Sequence, residues 1–92
     1  MEFNELREKY KQRAIQHSNE WREDVSDHII DVIISVMMTR DDVLQGGGFV
    51  QAICQNDLRN AVGRADSDCI KHLKLITMAY SNAYVEQLDY NF

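Results

Sequence analysis

A chain of 92 residues holds one small domain, and at that size its helices must pack efficiently or a second copy must help to cover its apolar surface. An apolar fraction of 45% argues against wholesale disorder. Fifteen acidic against ten basic side chains leave a net charge of −5, which argues against nucleic acid as a partner, because recognition of a phosphate backbone needs clustered Lys and Arg.

Proline is absent and glycine is nearly confined to Gly46, Gly47 and Gly48, with Gly63 alone. The two helix breakers therefore leave positions 1–45 and 64–92 uninterrupted, which favours an all-α chain. Cys54 and Cys69 have no CxxC spacing and point to a reducing, cytoplasmic setting. The N-terminus, MEFNELREKYK, is charged and amphipathic and does not read as a secretory signal. Only positions 28–38 are strongly apolar, too few for a bilayer that needs about 20 residues. The expectation is a soluble cytoplasmic protein with no membrane association.

Asn4 is placed to cap a helix whose first turn carries Glu5 and Glu8. From there Phe3, Leu6, Tyr10, Ala14, His17, Trp21, Val25, His28, Val32 and Val36 recur at helical spacing. Ser18 and Asn19 favour caps over helix interiors, so this stretch reads either as one long helix or as two helices broken there. Between 29 and 38, apolar residues cover nearly the whole circumference. A helix apolar all round is buried on all sides, and so small a chain offers few elements to surround it. Ile30, Ile33, Ile34, Met37 and Met38 are therefore candidate contacts in a homo-oligomer. Thr39 to Asp42 has capping-box character and predicts a short helical turn through Leu44.

The triple glycine reads as a turn that ends anything helical. A second helix is expected over 49–62, with Val50, Ile53, Cys54, Asp57, Leu58, Ala61 and Ala65 on one broad face. Asp66 or Ser67 then caps a third, over 67–88, on which Cys69, Ile70, Leu73, Ile76, Thr77, Tyr80, Ala83, Tyr84 and Leu88 recur. Tyr90 and Phe92 end the chain in an aromatic tail. The expected architecture is a single helical domain over 1–92. Its long N-terminal helix packs on a C-terminal two-helix hairpin, and the whole is oligomeric.

Asp57 is the anomaly, a carboxylate on an apolar face. Burying it bare would cost several kcal/mol, so it needs a backbone amide, a tyrosine hydroxyl or Arg64 as partner. The alternative is a polar cluster of Asn56, Asp57, Arg64 and Asp66, with Tyr80 and Tyr84, that receives a ligand or partner group. No catalytic set accompanies it: there is no second carboxylate beside Asp57 and no activated nucleophile. The glycine turn lacks the Lys-Ser or Lys-Thr of a phosphate loop. Asp24 and His28 stand at i, i+4, but two further metal ligands are missing. Cys69 and His72 have no orienting third group. Neither a cofactor, nor a metal, nor an enzymatic activity is expected.

GGFVQAICQNDLRNAVGRAD, followed by Leu73, Leu75-Ile76, Tyr80 and Asn82, resembles a pattern in small bacteriophage and prophage proteins. Those carry a Gly-Phe opening, an Asn-Asp-Leu, an Arg-Ala-Asp, and then a helix ending in aromatic and Asn residues. The likeness covers positions 47–82 and leaves out the first 45 residues. Where such proteins often have a Pro-containing lead-in, this chain has Gln45. No general activity attaches to the pattern. The resemblance implies a phage source and an accessory role, in the host cytoplasm.

Three functions fit these readings. One is a non-enzymatic inhibitor that binds a host protein of a defence system, as an anti-CRISPR protein does. Another is a sponge that sequesters a small nucleotide-type signal through Asn56, Asp57, Arg64 and the tyrosines. The third is a structural or regulatory helical oligomer.

Overall fold

The computed structural model describes residues 2–82, and every regular element among them is an α-helix, as expected. The helices are α1 (Phe3–Glu20), α2 (Asp27–Arg40), α3 (Gly48–Cys54), α4 (Leu58–Arg64), α5 (Ser67–Lys71) and α6 (Leu73–Ala79). Each of the three predicted helical stretches is divided once. Tyr84, the tail aromatics and the expected helix end at Leu88 lie outside the described residues.

The first division falls a few residues after Ser18–Asn19. Glu20 is the last residue of α1, and Arg22 takes a left-handed φ of 56°. There the Arg22 amide donates to the Asn19 carbonyl and the Glu23 amide to the Ser18 carbonyl, both at 3.1 Å. This paired pattern closes a helix and satisfies carbonyls its last turn would leave orphaned. Ser18 Oγ adds a 2.6 Å bond to the Glu23 carbonyl. Ser26 then caps α2, its Oγ accepting from the Ile29 amide.

The same closure ends α2 and α3. Asp42 (φ 59°) and Asn56 (φ 58°) are left-handed, with Val43 N bonded to Met38 O and Asp57 N to Ala52 O. None of the described glycines has a positive φ. The chain thus makes its tight ends with Arg22, Asp42 and Asn56, residues that bear the cost of a left-handed Cβ. The glycine cluster serves close approach instead. A Cβ on Gly46 would lie 2.7 Å from Val50 Cγ1, and one on Gly48 would lie 2.7 Å from Arg64 Nη1. The turn predicted from Thr39 to Leu44 is also differently placed: Thr39 and Arg40 are the last turn of α2, and residues 41–47 form the connection.

The central element is α2, against which α1, α3 and α6 pack. Ile29, Ile33, Ile34, Val36, Met37 and Met38 are buried to 2% exposure or less, together with Ala14 of α1 and Leu75, Ile76 and Ala79 of α6. Each large side chain so covered contributes about 1.5–3 kcal/mol of transfer free energy. The chain itself therefore surrounds the apolar girdle that suggested a second copy. Ile33, Ile34, Met37 and Met38 have no surface left to offer a partner, and Ile30 alone of that set is half-buried. Short helices make this possible, because α1, α3 and α6 can approach α2 from different sides.

A polar latch closes the far end of α2. The Arg40 guanidinium, its side chain 3% exposed, pairs through Nε and Nη2 with both Asp41 oxygens at 2.8 and 3.0 Å. Its Nη1 donates to the carbonyls of Ala79 and Tyr80 at the C-terminal end of α6. Tyr10 Oη of α1 donates to Asp41 Oδ2 at 2.8 Å. Three helices are thus tied by one cation and one carboxylate. Among the described residues, no helix is long and apolar enough to cross a membrane.

Candidate functional site

The α3–α4 corner gathers part of the cluster singled out from the sequence. Asp57 does not sit in the interior of a helix on an apolar face, because the left-handed Asn56 divides the predicted 49–62 helix just before it. Asp57 is instead the N-cap of α4. Its Oδ1 accepts from the Asn60 backbone amide at 3.3 Å, and its Oδ2 from Asn60 Nδ2 at 2.6 Å. The carboxylate is half-buried and satisfied by the helix it starts. Asn is among the few residues that tolerate the left-handed region, and Asp among the best N-caps. Asn56-Asp57 is thus a stop followed by a start.

Arg64 closes the corner from the other end of α4. Its guanidinium lies over Gly48, the first residue of α3, and makes no hydrogen bond or ion pair within the described residues. Gly48, Gln51, Ala52, Gln55, Asp57, Asn60 and Arg64 line a polar cleft of about 180 Å³. That volume is below the roughly 300–1,000 Å³ of drug-sized ligand sites, so the cleft suits a side chain rather than a nucleotide.

Beside the cleft, α4 shows an apolar face. Ala61 packs inward at 1% exposure, while Leu58 and Val62 stand 69% and 44% exposed one helical turn apart. Ile70 on α5 is 45% exposed. The sequence LRNAVGR carries Arg59 and Arg64 and no acidic residue, making α4 a basic and apolar segment on an acidic protein.

The other expected site residues are elsewhere. Asp66 caps α5 through the Cys69 amide (2.8 Å) and bonds His28 Nε2 at 2.9 Å. Those two hydrogen bonds, the Cys69 amide first, hold its carboxyl below the usual range. Tyr80 ends α6, where Arg40 binds its carbonyl, and it does not line the cleft.

The two thiols are held as thiols. Burial pushes the Cys54 pKa up, and its Sγ donates to the Val36 carbonyl at 3.6 Å. Burial, and then the Asp66 carboxylate, push Cys69 up to about 11. At Cys54 the nearby Arg40 charge pulls the other way but burial outweighs it, and at Cys69 the neighbouring charges are the carboxylates of Asp66 and Asp68, so neither thiol is activated as a thiolate nucleophile. His72 is bonded to Glu23 through Nδ1 at 2.9 Å, at the point where the predicted 67–88 helix divides into α5 and α6. His17 is buried, with Nε2 donating to the Leu75 carbonyl and Nδ1 accepting from Asn82.

A larger hollow of about 460 Å³ lies between the end of α2 and α3, lined by Thr39, Asp42, Val43, Leu44, Gln45, Gln51, Cys54 and Gln55. Its single charged group is Asp42, so it offers no cation to a phosphate. The grouping of His28 with Asp66 and Cys69, and the latch of Tyr10, Arg40 and Asp41, were not visible from spacing, because each joins residues tens of positions apart. No protein-family model, curated protein or solved structure matches this chain.

Proposed function

We propose that the protein is a non-catalytic binding protein that inhibits a host defence system by occupying a host protein, docking through α4. The carrying observation is the exposed pair Leu58 and Val62 flanked by Arg59 and Arg64. Exposed apolar side chains beside arginines have the composition of an interface centre, where apolar residues are desolvated and Arg anchors the partner. Arg64 has no competing partner among the described residues and is free to pair with a carboxylate. The surface that fits α4 is an apolar groove edged with Asp or Glu. The resemblance of positions 47–82 to small phage proteins supports a host-directed role, and the bonded, high-pKa thiols support a function without catalysis. A nucleotide sponge built on Asn56, Asp57 and Arg64 is less well supported, because the cleft that holds Asp57 and Arg64 is small.

The test is affinity capture from bacterial lysate with the wild-type chain and with Leu58→Glu side by side. The expected result is a protein recovered in stoichiometric amount with wild type and lost with the variant, while circular dichroism shows the variant folded. Equal recovery by both chains, or no stoichiometric protein with wild type, contradicts the proposal.

A further inference from the structure

The N-terminal ends of α2 and α5 meet, and three side chains with different donor atoms meet with them. His28 is in the first turn of α2, Asp66 is the N-cap of α5, and Cys69 lies three residues beyond it. An imidazole nitrogen, a carboxylate oxygen and a sulfur all fall within 4.8 Å of one another. We propose that His28, Asp66 and Cys69 form a binding site for a zinc-type divalent cation that joins α2 to α5, with the fourth coordination position open to water.

The donor set decides the metal class. One nitrogen, one oxygen and one sulfur suit a borderline-soft ion such as zinc, whereas calcium and magnesium take oxygen almost exclusively. Once the thiol proton is lost, the two anionic ligands balance a charge of +2. Bond lengths of about 2.0–2.3 Å in a tetrahedron place ligand atoms about 3.3–3.8 Å apart, so the His28–Asp66 pair, hydrogen-bonded at 2.9 Å, must open slightly while the widest separation, up to 4.8 Å, closes by about 1 Å. The parts that must move are free to do so: the His28 and Asp66 side chains are 51% and 56% exposed.

The rest of the geometry is already set. The cap bond from the Cys69 backbone amide to Asp66 Oδ1, at 2.8 Å, holds the carboxylate near the start of α5 and leaves Oδ2 turned toward His28 Nε2 at 2.9 Å. Cys69 is 3% exposed and supplies an inner ligand under two outer ones. On binding, the ion takes the place of the Sγ proton, which passes to the buffer. The imidazole coordinates through the Nε2 lone pair with its proton on Nδ1. No oxidation state changes.

The reduced full-length protein should be titrated with cobalt(II), followed by competition with zinc. Wild type and Cys54→Ser are expected to develop a sulfur-to-cobalt charge-transfer band and the visible bands of a tetrahedral site, both abolished by equimolar zinc. Cys69→Ser should lose the charge-transfer band. His28→Ala, at an exposed position, should weaken binding more than roughly tenfold, since even outer-shell changes reach that size. Zinc at 100 times its Kd should raise the Tm by on the order of 10 °C. No band in wild type up to millimolar cobalt, a band that survives in Cys69→Ser, or unchanged affinity in His28→Ala overturns the proposal. If Cys69→Ser does not fold, His28→Ala decides.

Discussion

Replacing Gly46 with Ala and, separately, Gly63 with Ala should move stability in opposite directions. At Gly46 the new methyl would meet Val50 Cγ1 at 2.7 Å, Val50 Cβ at 2.9 Å and Thr39 Oγ1 at 3.1 Å. Val50 is buried, and a Cβ cannot swing aside as a side-chain tip can. The segment must lift, which threatens the bond from Gly46 N to Thr39 Oγ1 and that from Gln51 Nε2 to the Gly46 carbonyl. Overpacking of this kind costs about 1–3 kcal/mol and a lost hydrogen bond about 1 more. At Gly63 nothing lies within 4 Å and the residue is inside α4, so alanine gains about 0.5–1 kcal/mol of helix propensity. For a domain this size, 1 kcal/mol moves Tm by about 4–8 °C. Thermal unfolding followed by circular dichroism should place Gly46→Ala roughly 10 °C or more below wild type and Gly63→Ala a few degrees above. A Gly46→Ala protein that melts at or above wild type would refute close packing of the cluster on Val50 and make it a plain linker.

Arg22→Gly should raise Tm, because relief of a left-handed Cβ, about 1–2 kcal/mol, exceeds the roughly 0.5–1 kcal/mol of added chain entropy; Asn56→Gly should gain less, since Asn tolerates that region. Asp41→Asn should destabilise by about 2–3 kcal/mol in urea titration, because the charge-assisted, two-pronged pairing of the Arg40 guanidinium with the Asp41 carboxylate is lost. The Arg40 hydrogen bond foremost holds the Asp41 carboxyl below its ordinary 3.8. The native state therefore binds this proton less tightly than the unfolded chain, and the contribution is full above pH 3.8 and lost as pH falls through the lower native value. Asp41→Asn should flatten that acid limb of the stability curve. Arg64→Ala should leave stability within about 0.5 kcal/mol of wild type, as at exposed sites generally, while reducing recovery in the capture assay.

The helical class was legible because apolar residues recur at three and four along nearly the whole chain and no proline interrupts them. The divisions were not. Ser18–Asn19 marked the end of α1 only approximately, because the closure uses Arg22, a residue with no left-handed preference; the stronger local sign was Ser26 before an apolar run. The glycine cluster does mark the non-helical stretch before α3, with Gly46 and Gly47 in the 41–47 connection, but the left-handed residue that closes α2 is Asp42 rather than a glycine. Asp57 was anomalous only on a continuous 49–62 helix. Once Asn56 ends α3, the same carboxylate is an ordinary cap. The exposed apolar pair Leu58 and Val62 was hidden by this error, since on one long helix Leu58 shares the buried face with Ile53 and Ala61. Pairings such as Arg40 with the end of α6, or His28 with Asp66, depend on tertiary packing and leave no local trace.

The most direct test of docking through α4 is hydrogen exchange on the isolated protein and on its complex with the captured host protein. Protection concentrated on amides 57–66, with α1 and α2 unchanged, is the predicted result. Protection confined to other helices while 57–66 exchange as in the free protein would contradict it.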